Sequence, residues 1–188
     1  MRQCKRSIGA MFLLIFCLAY LGFAEEVVKY FPKPGDLKFT YGPHKPVMKI
    51  KPGTVIISST EDCYDGKVKK PTDKASEVME LWHDNPLTGP FYIQGAEMGD
   101  ILAVHIRKIE PARPYAISSY GPGFGAITGT EYTAILESPL PELVWWYEVD
   151  KEKGTVRYKS LKGNTVIDIP MNPMIGCLGV APAKFEYR

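Results

Sequence analysis

Residues 85–106, NPLTGPFYIQGAEMGDILAVHI, read in two registers. The right half leaves a Gly-Asp turn and alternates apolar residues. It predicts a strand over residues 101–109, with Leu102, Val104 and Ile106 on one face and His105 on the other. The left half packs Pro86, Gly89, Pro90, Gly95 and Gly99 around a single carboxylate, Glu97. A stiff corner between two strands is where a rigid scaffold presents a functional side chain.

The same grammar extends in both directions. TVIISS (54–59), FYIQ (91–94), VWWYEV (144–149), TVRYKSL (155–161) and TVIDI (165–169) are β-branched or aromatic runs bounded by breakers, and each predicts a strand. DKEKG (150–154) and LKGN (161–164) supply the hairpin turns between the last three, with Gly154 available for positive φ. Only DKASEVMEL (73–81) suggests a helix, and it is short. The expected class is mainly β, a sandwich or barrel.

The first 24 residues stand apart from this pattern. MRQCKRS is basic, IGAMFLLIFCLAYLGF is almost wholly apolar, and GFA before Glu25 resembles a small-residue cleavage site. The apolar run is near the short limit for spanning a bilayer, so residues 1–24 read as a secretory signal peptide rather than a stable membrane anchor. A secreted or periplasmic domain of 164 residues, 25–188, is expected. Removing Arg2, Lys5 and Arg6 leaves it 20 basic against 21 acidic side chains. That near-neutral balance, without a basic patch, argues against nucleic acid as a partner. Cys63 and Cys177 remain in the mature chain; an oxidising compartment permits a bridge, and two small buried thiols fit equally well.

Chemistry-bearing residues gather at three Gly/Pro-rich corners. STEDCYDGKV carries Glu61, Asp62 and Asp65, WHDNP carries His83 and Asp84, and GAEMGD carries Glu97 and Asp100. Asp65-Gly66 and Gly99-Asp100 are turn formers first. Asp84-Asn85 before Pro86 reads as an Asx turn, His105 as an outward or satisfied histidine, and His44 as a loop residue without an obvious partner. Asp62, at a strand end, and Glu97, after a Gly-Ala pair that permits close backbone approach, are the functional candidates.

Three blocks, KPGTVIISSTEDCYDGKV, DNPLTGPFYIQGAEMGDILAVHI and IPMNPMIGCLGVAP, with GPGFGAITGT as a weaker fourth, together resemble the acetamidase/formamidase family. The resemblance implies a β-rich, oligomeric hydrolase of carbon–nitrogen bonds in small linear amides, releasing ammonia. On it, Glu97 is the catalytic base or a ligand, Gly95 and Ala96 admit the substrate, and Asp62 and His83 are metal ligands. The metal expected is zinc, with calcium second. Amide hydrolysis calls for a Lewis acid and a proton-shuttling carboxylate, because the carbonyl is a poor electrophile and ammonia a poor leaving group. The family pattern continues past GVAP into His-Gly-Gly-Asn-Met-Asp, Gly-Asp-x-His and Gly-Asp-Gly-Glu motifs. Here KFEYR follows instead, so the sequence resembles the family's N-terminal portion. The rival readings are an inactive truncated product and a secreted β-rich binding protein presenting Trp145, Trp146 and Tyr147 to a sugar.

If residues 1–24 are a signal peptide, intact-mass spectrometry of the exported protein will find its N-terminus near Glu25; Met1 retained in the membrane fraction would identify an anchor.

Overall fold

The computed structural model describes residues 25–80, 82–121 and 141–182. Residues 1–24, expected to be a signal peptide, Leu81 of the expected helix and all but the first residue of the GPGFGAITGT block lie outside the described residues. Eight strands and one short helix are formed among those described. They are β1 (Val27–Tyr30), β2 (Met48–Ile50), β3 (Val55–Ser58), α1 (Ala75–Val78), β4 (Phe91–Ile93), β5 (Tyr115–Tyr120), β6 (Leu143–Asp150), β7 (Thr155–Lys159) and β8 (Val166–Pro170). The chain is mainly β, as its sequence implies. No described helix is long and apolar enough to cross a membrane.

Two small sheets come from the N-terminal part. β1 pairs with β3 in parallel, Val27 opposite Val55, and β2 pairs with β4 in parallel, Met48 opposite Phe91. Parallel neighbours need crossover connections, and here the two crossovers interleave. β5 to β8 form an antiparallel meander. The turns that join β6, β7 and β8 are those the sequence specifies: Gly154 and Gly163 adopt φ of 64° and 89°. The Asp150 carboxylate accepts from the amides of Glu152 and Lys153 at 3.1 and 2.9 Å, pinning the first hairpin.

The register makes this meander two-faced. Val149 lies opposite Val156, Tyr158 opposite Ile167 and Val156 opposite Ile169. Because side chains alternate, Trp145, Tyr147, Val149, Val156, Tyr158, Ile167 and Ile169 share one face. That face carries no charged residue on β6, β7 or β8. The opposite face carries Glu148, Asp150, Arg157, Lys159 and Asp168. Arg157 Nε donates to Asp168 Oδ1 at 2.7 Å, and Lys159 pairs with Glu148. Hydrogen bonding to Lys159 holds the Glu148 carboxyl below the ordinary carboxylate range, and Arg157 does the same for Asp168. The two tryptophans fall on opposite faces, both half-buried, and Trp146 is stacked on Tyr115 at 4.1 Å.

One expectation is corrected. Residues 101–109 form no strand, and Leu102, Val104 and Ile106 are exposed together with His105. A strand needs a neighbouring ladder to satisfy its backbone groups, and among the described residues none pairs with this segment. Its tether is electrostatic: Arg107 Nη1 donates to Glu25 Oε2 at 2.7 Å, just ahead of β1.

The buried apolar side chains among the described residues are Ile50, Val68 and Val144, of which Val68 is fully buried. Val68, 1% exposed, closes the corner that follows β3. Val68→Ala should lower unfolding stability by about 2 kcal/mol, the transfer of two methyl groups plus the cavity left behind. The urea midpoint measures it; an unchanged midpoint would show that the site collapses without cost.

Candidate functional site

The corner after β3 is built around Asp62. Its Oδ1 accepts from the amides of Tyr64 and Gly66 at 2.9 and 3.1 Å, while its carbonyl accepts from Asp65 N at 3.1 Å. Such doubly capped turns favour Asp at their first position and left-handed residues at their end. Asp65 and Gly66 indeed have φ of 51° and 63°. Gly66 is also required by space, because a Cβ there would sit 3.0 Å from Arg113 Nη2 and 3.1 Å from Glu61 Oε2.

Arg113 occupies that space. Its Nη1 donates to Asp62 and its Nη2 to Glu61, with all three side chains about a quarter exposed. The guanidinium lies 5.7 Å from the centroid of Tyr115, which is stacked in turn on Trp146. Burial works against the Arg113 charge, and hydrogen bonding to Asp62 with the field of Glu61 more than offsets it, so its pKa rises. Tyr64 Oη sits 2.7 Å from Ser119 Oγ on β5, a second tie between the corner and the meander. Burial raises the Tyr64 phenol and the Cys63 thiol, the latter with help from the Asp62 charge. A thiol held protonated is a poor nucleophile. Cys63 and Cys177 are both free.

The second corner is joined to the first through its backbone. Asn85 N donates to the Cys63 carbonyl at 3.1 Å, and Thr88 Oγ1 to that of Ser59 at 2.8 Å. Asn85 takes φ of 51° and its amide bonds the Asp84 carboxylate at 2.9 Å. His83 is engaged locally: its ring stacks on Phe39 at 4.4 Å and its Nδ1 lies 3.1 Å from Glu80 Oε2. His44, for which the sequence suggested no partner, places Nε2 2.9 Å from Thr40 Oγ1.

Glu97 stands on the third corner, directly after β4. The turn is self-locking: Glu97 N donates to Asp100 Oδ2 at 2.8 Å, and Asp100 N to the Glu97 carbonyl at 3.1 Å. Gly95 and Gly99 supply φ of 80° and 101°. The side chain of Glu97 is exposed, as are Gly95 and Ala96. Gly95 is needed for its backbone angle rather than for a close approach within the chain, since nothing lies within 4 Å of where a Cβ would be.

These three corners do not converge on one ion. Among the described residues no group of three or more His, Cys, Asp or Glu could hold a metal, so Asp62, His83 and Glu97 do not form one. Asp62 is already committed, with Oδ1 on two amides and Oδ2 on a cation, and a metal there would have to displace Arg113. The described donors alone therefore do not fit zinc or calcium. The residue missing from the sequence reading is Arg113. Its available signal was a lone arginine between prolines in PARPYAI, just before β5.

The acetamidase/formamidase family pattern matches residues 42–185. Among solved structures, the chain is similar to an acetamidase from Yersinia enterocolitica. That match has a TM-score of 0.64 and 31% identity, and it covers 79% of this chain and 44% of the other. It is also similar in fold to an acetamidase from Bacillus halodurans, with a TM-score of 0.59 and 22% identity over 82% of this chain and 46% of the other. The chain thus spans less than half the length of either. No curated protein matches it.

Replacing Arg113 with Met keeps the apolar stem but leaves Glu61 and Asp62 adjacent and uncompensated. Arg113→Met should cost about 1–3 kcal/mol by urea denaturation, below a fully buried pair because water reaches the site. Arg113→Lys should restore only part of this, since lysine cannot make the two-pronged contact. A neutral Arg113→Met would remove the clamp from the account of this corner.

Proposed function

Because the chain belongs to the acetamidase/formamidase family, we propose that it serves hydrolysis of the carbon–nitrogen bond in small linear amides, contributing part of the fold in which that reaction occurs. The observation that carries this reading is the 31% identity, over 79% of the chain, to a protein known as an acetamidase. In the reaction, water adds to the carbonyl carbon, the carbon–nitrogen bond breaks, and nitrogen leaves as ammonia after gaining a proton.

Glu97 is the residue proposed to move that proton. Support comes from its place on a short, self-bonded turn at the end of β4, with the carboxylate toward solvent and open space before Gly95. A carboxylate carried on a backbone fixed by its own turn, and not consumed by internal bonds, suits acid–base work. Gly95 and Ala96 are the proposed floor beneath the amide. Asp62 acts in this proposal through structure, holding the neighbouring corner against Arg113. A divalent ion, zinc before calcium, enters the proposal only with ligands supplied from outside the described residues, and no step here depends on it. Export follows from the reading of residues 1–24, and oligomeric assembly from the family resemblance.

The test is ammonia release from formamide and acetamide. The purified chain would be assayed alone and joined to the part of the Yersinia enterocolitica acetamidase outside the matched 44%. Little turnover is expected from the chain alone and clear turnover from the joined form, lowered about 100-fold or more by Glu97→Ala. No turnover in either form would sink the amidase reading. Full turnover by the chain alone would place the whole catalytic set within these residues.

A further inference from the structure

Two turns follow one another between β4 and the run 101–109. The first, Ile93 to Ala96, is closed by Ala96 N donating to the Ile93 carbonyl at 3.3 Å. The second, Glu97 to Asp100, is closed by Asp100 N donating to the Glu97 carbonyl at 3.1 Å. Each has a glycine of positive φ at its third position, Gly95 at 80° and Gly99 at 101°, the pattern of a type II turn. The first turn is fastened to its sheet, because Gln94 N donates to the Ile50 carbonyl at 2.8 Å and so extends the β2–β4 ladder. The second begins where that ladder has ended, and all four of its residues are exposed. It carries a bond that the first turn cannot make: Asp100 Oδ2 accepts from Glu97 N at 2.8 Å, whereas Ala96, at the equivalent position, has no polar side chain. Asp100 thus bonds both the amide and the carbonyl of Glu97.

We infer that Asp100 is a positioning residue for Glu97: its carboxylate fixes the backbone from which Glu97 projects, and so the direction in which the proton-moving carboxylate meets the amide. The inference rests on the amidase reading for the task of Glu97, and on the geometry of the turn for the task of Asp100. Asp100 touches no substrate in this role and carries no proton. Its bond to Glu97 N is charge-assisted, the stronger kind where water competes. Beyond Asp100 the run 101–109 pairs with no ladder among the described residues, so a Glu97 released from Asp100 would share that run's freedom. A displacement on the order of 1 Å at a reacting group can cost roughly 100-fold in rate. The bond asks only for an oxygen acceptor, which asparagine retains and alanine lacks.

The experiment compares Asp100→Ala with Asp100→Asn. In the full chain by itself, amide hydrogen exchange at Glu97 should run about tenfold faster in Asp100→Ala, the worth of one hydrogen bond to a charged group. Asp100→Asn should stay near the unaltered chain, and both variants should keep its thermal midpoint, since the position is exposed. In the joined form used for ammonia release, Asp100→Ala should lower kcat about 10- to 100-fold with KM nearly unchanged. Asp100→Asn should keep most of the rate and the same pH–rate profile. A purely structural turn residue would move the thermal midpoint instead, and a proton carrier would lose its activity as asparagine too. Glu97-dependent turnover left intact by Asp100→Ala would overturn the inference. So would a Glu97 amide that exchanges no faster in that variant, or an asparagine variant as slow as the alanine one. Ammonia release that is absent, or indifferent to Glu97→Ala, would instead remove the task proposed for Glu97, and the inference would fall with it.

Discussion

The fork that Arg113 makes onto Glu61 and Asp62 joins two parts of the molecule that the backbone does not pair. One side is the corner that follows β3; the other is Arg113 itself, just ahead of β5 and 51 residues beyond Asp62. Around this contact, Asp62 caps its own turn, Gly66 leaves room for the guanidinium, and Tyr115 carries the cation onto Trp146. Its value lies in register as much as in energy, since a planar two-pronged contact fixes direction where a single charge would not. Through Asn85 and Cys63 the same corner also orients the loop that carries His83.

What could be read in the sequence divides along the distinction between local and distant interactions. The hairpins from β6 to β8 were legible because alternation, Asp150 and the two turn glycines all act within a few residues. The turn around Glu97 was legible for the same reason. β1 and β2, of four and three residues, are too short to announce themselves, and their partners lie far along the chain. β5, YAISSY, hides because its two serines weaken the apolar signal. Residues 101–109 show the converse failure. They read as an apolar strand with His105 set apart, but such a pattern specifies a strand only where a ladder and a covering layer exist to use it.

The candidate site follows the same rule. Asp62 and Glu97 were recognisable as acids on stiff corners, yet their settings differ for reasons visible only in three dimensions. Asp62 spends its oxygens on two amides and an arginine, whereas Glu97 spends only its backbone and leaves its carboxylate to solvent. No local feature of the sequence states that Arg113 belongs to Asp62. Family membership supplies the chemistry proposed for these corners, and the matched solved structures supply the scale, showing that the chain covers under half of such a fold.

The interleaving of the two parallel pairs bears on how the chain acquires its shape. β1 meets β3 across 28 residues and β2 meets β4 across 43, and each closure encloses one strand of the other. Neither loop can be treated as an independent hairpin, and both must lose chain entropy before their short ladders return anything. The β6–β8 hairpins, with their tight turns, have no such debt, and β5 joins them only across the 23 residues from Tyr120 to Leu143. The kinetic order implied is C-terminal before N-terminal, the reverse of the order in which a ribosome delivers the strands.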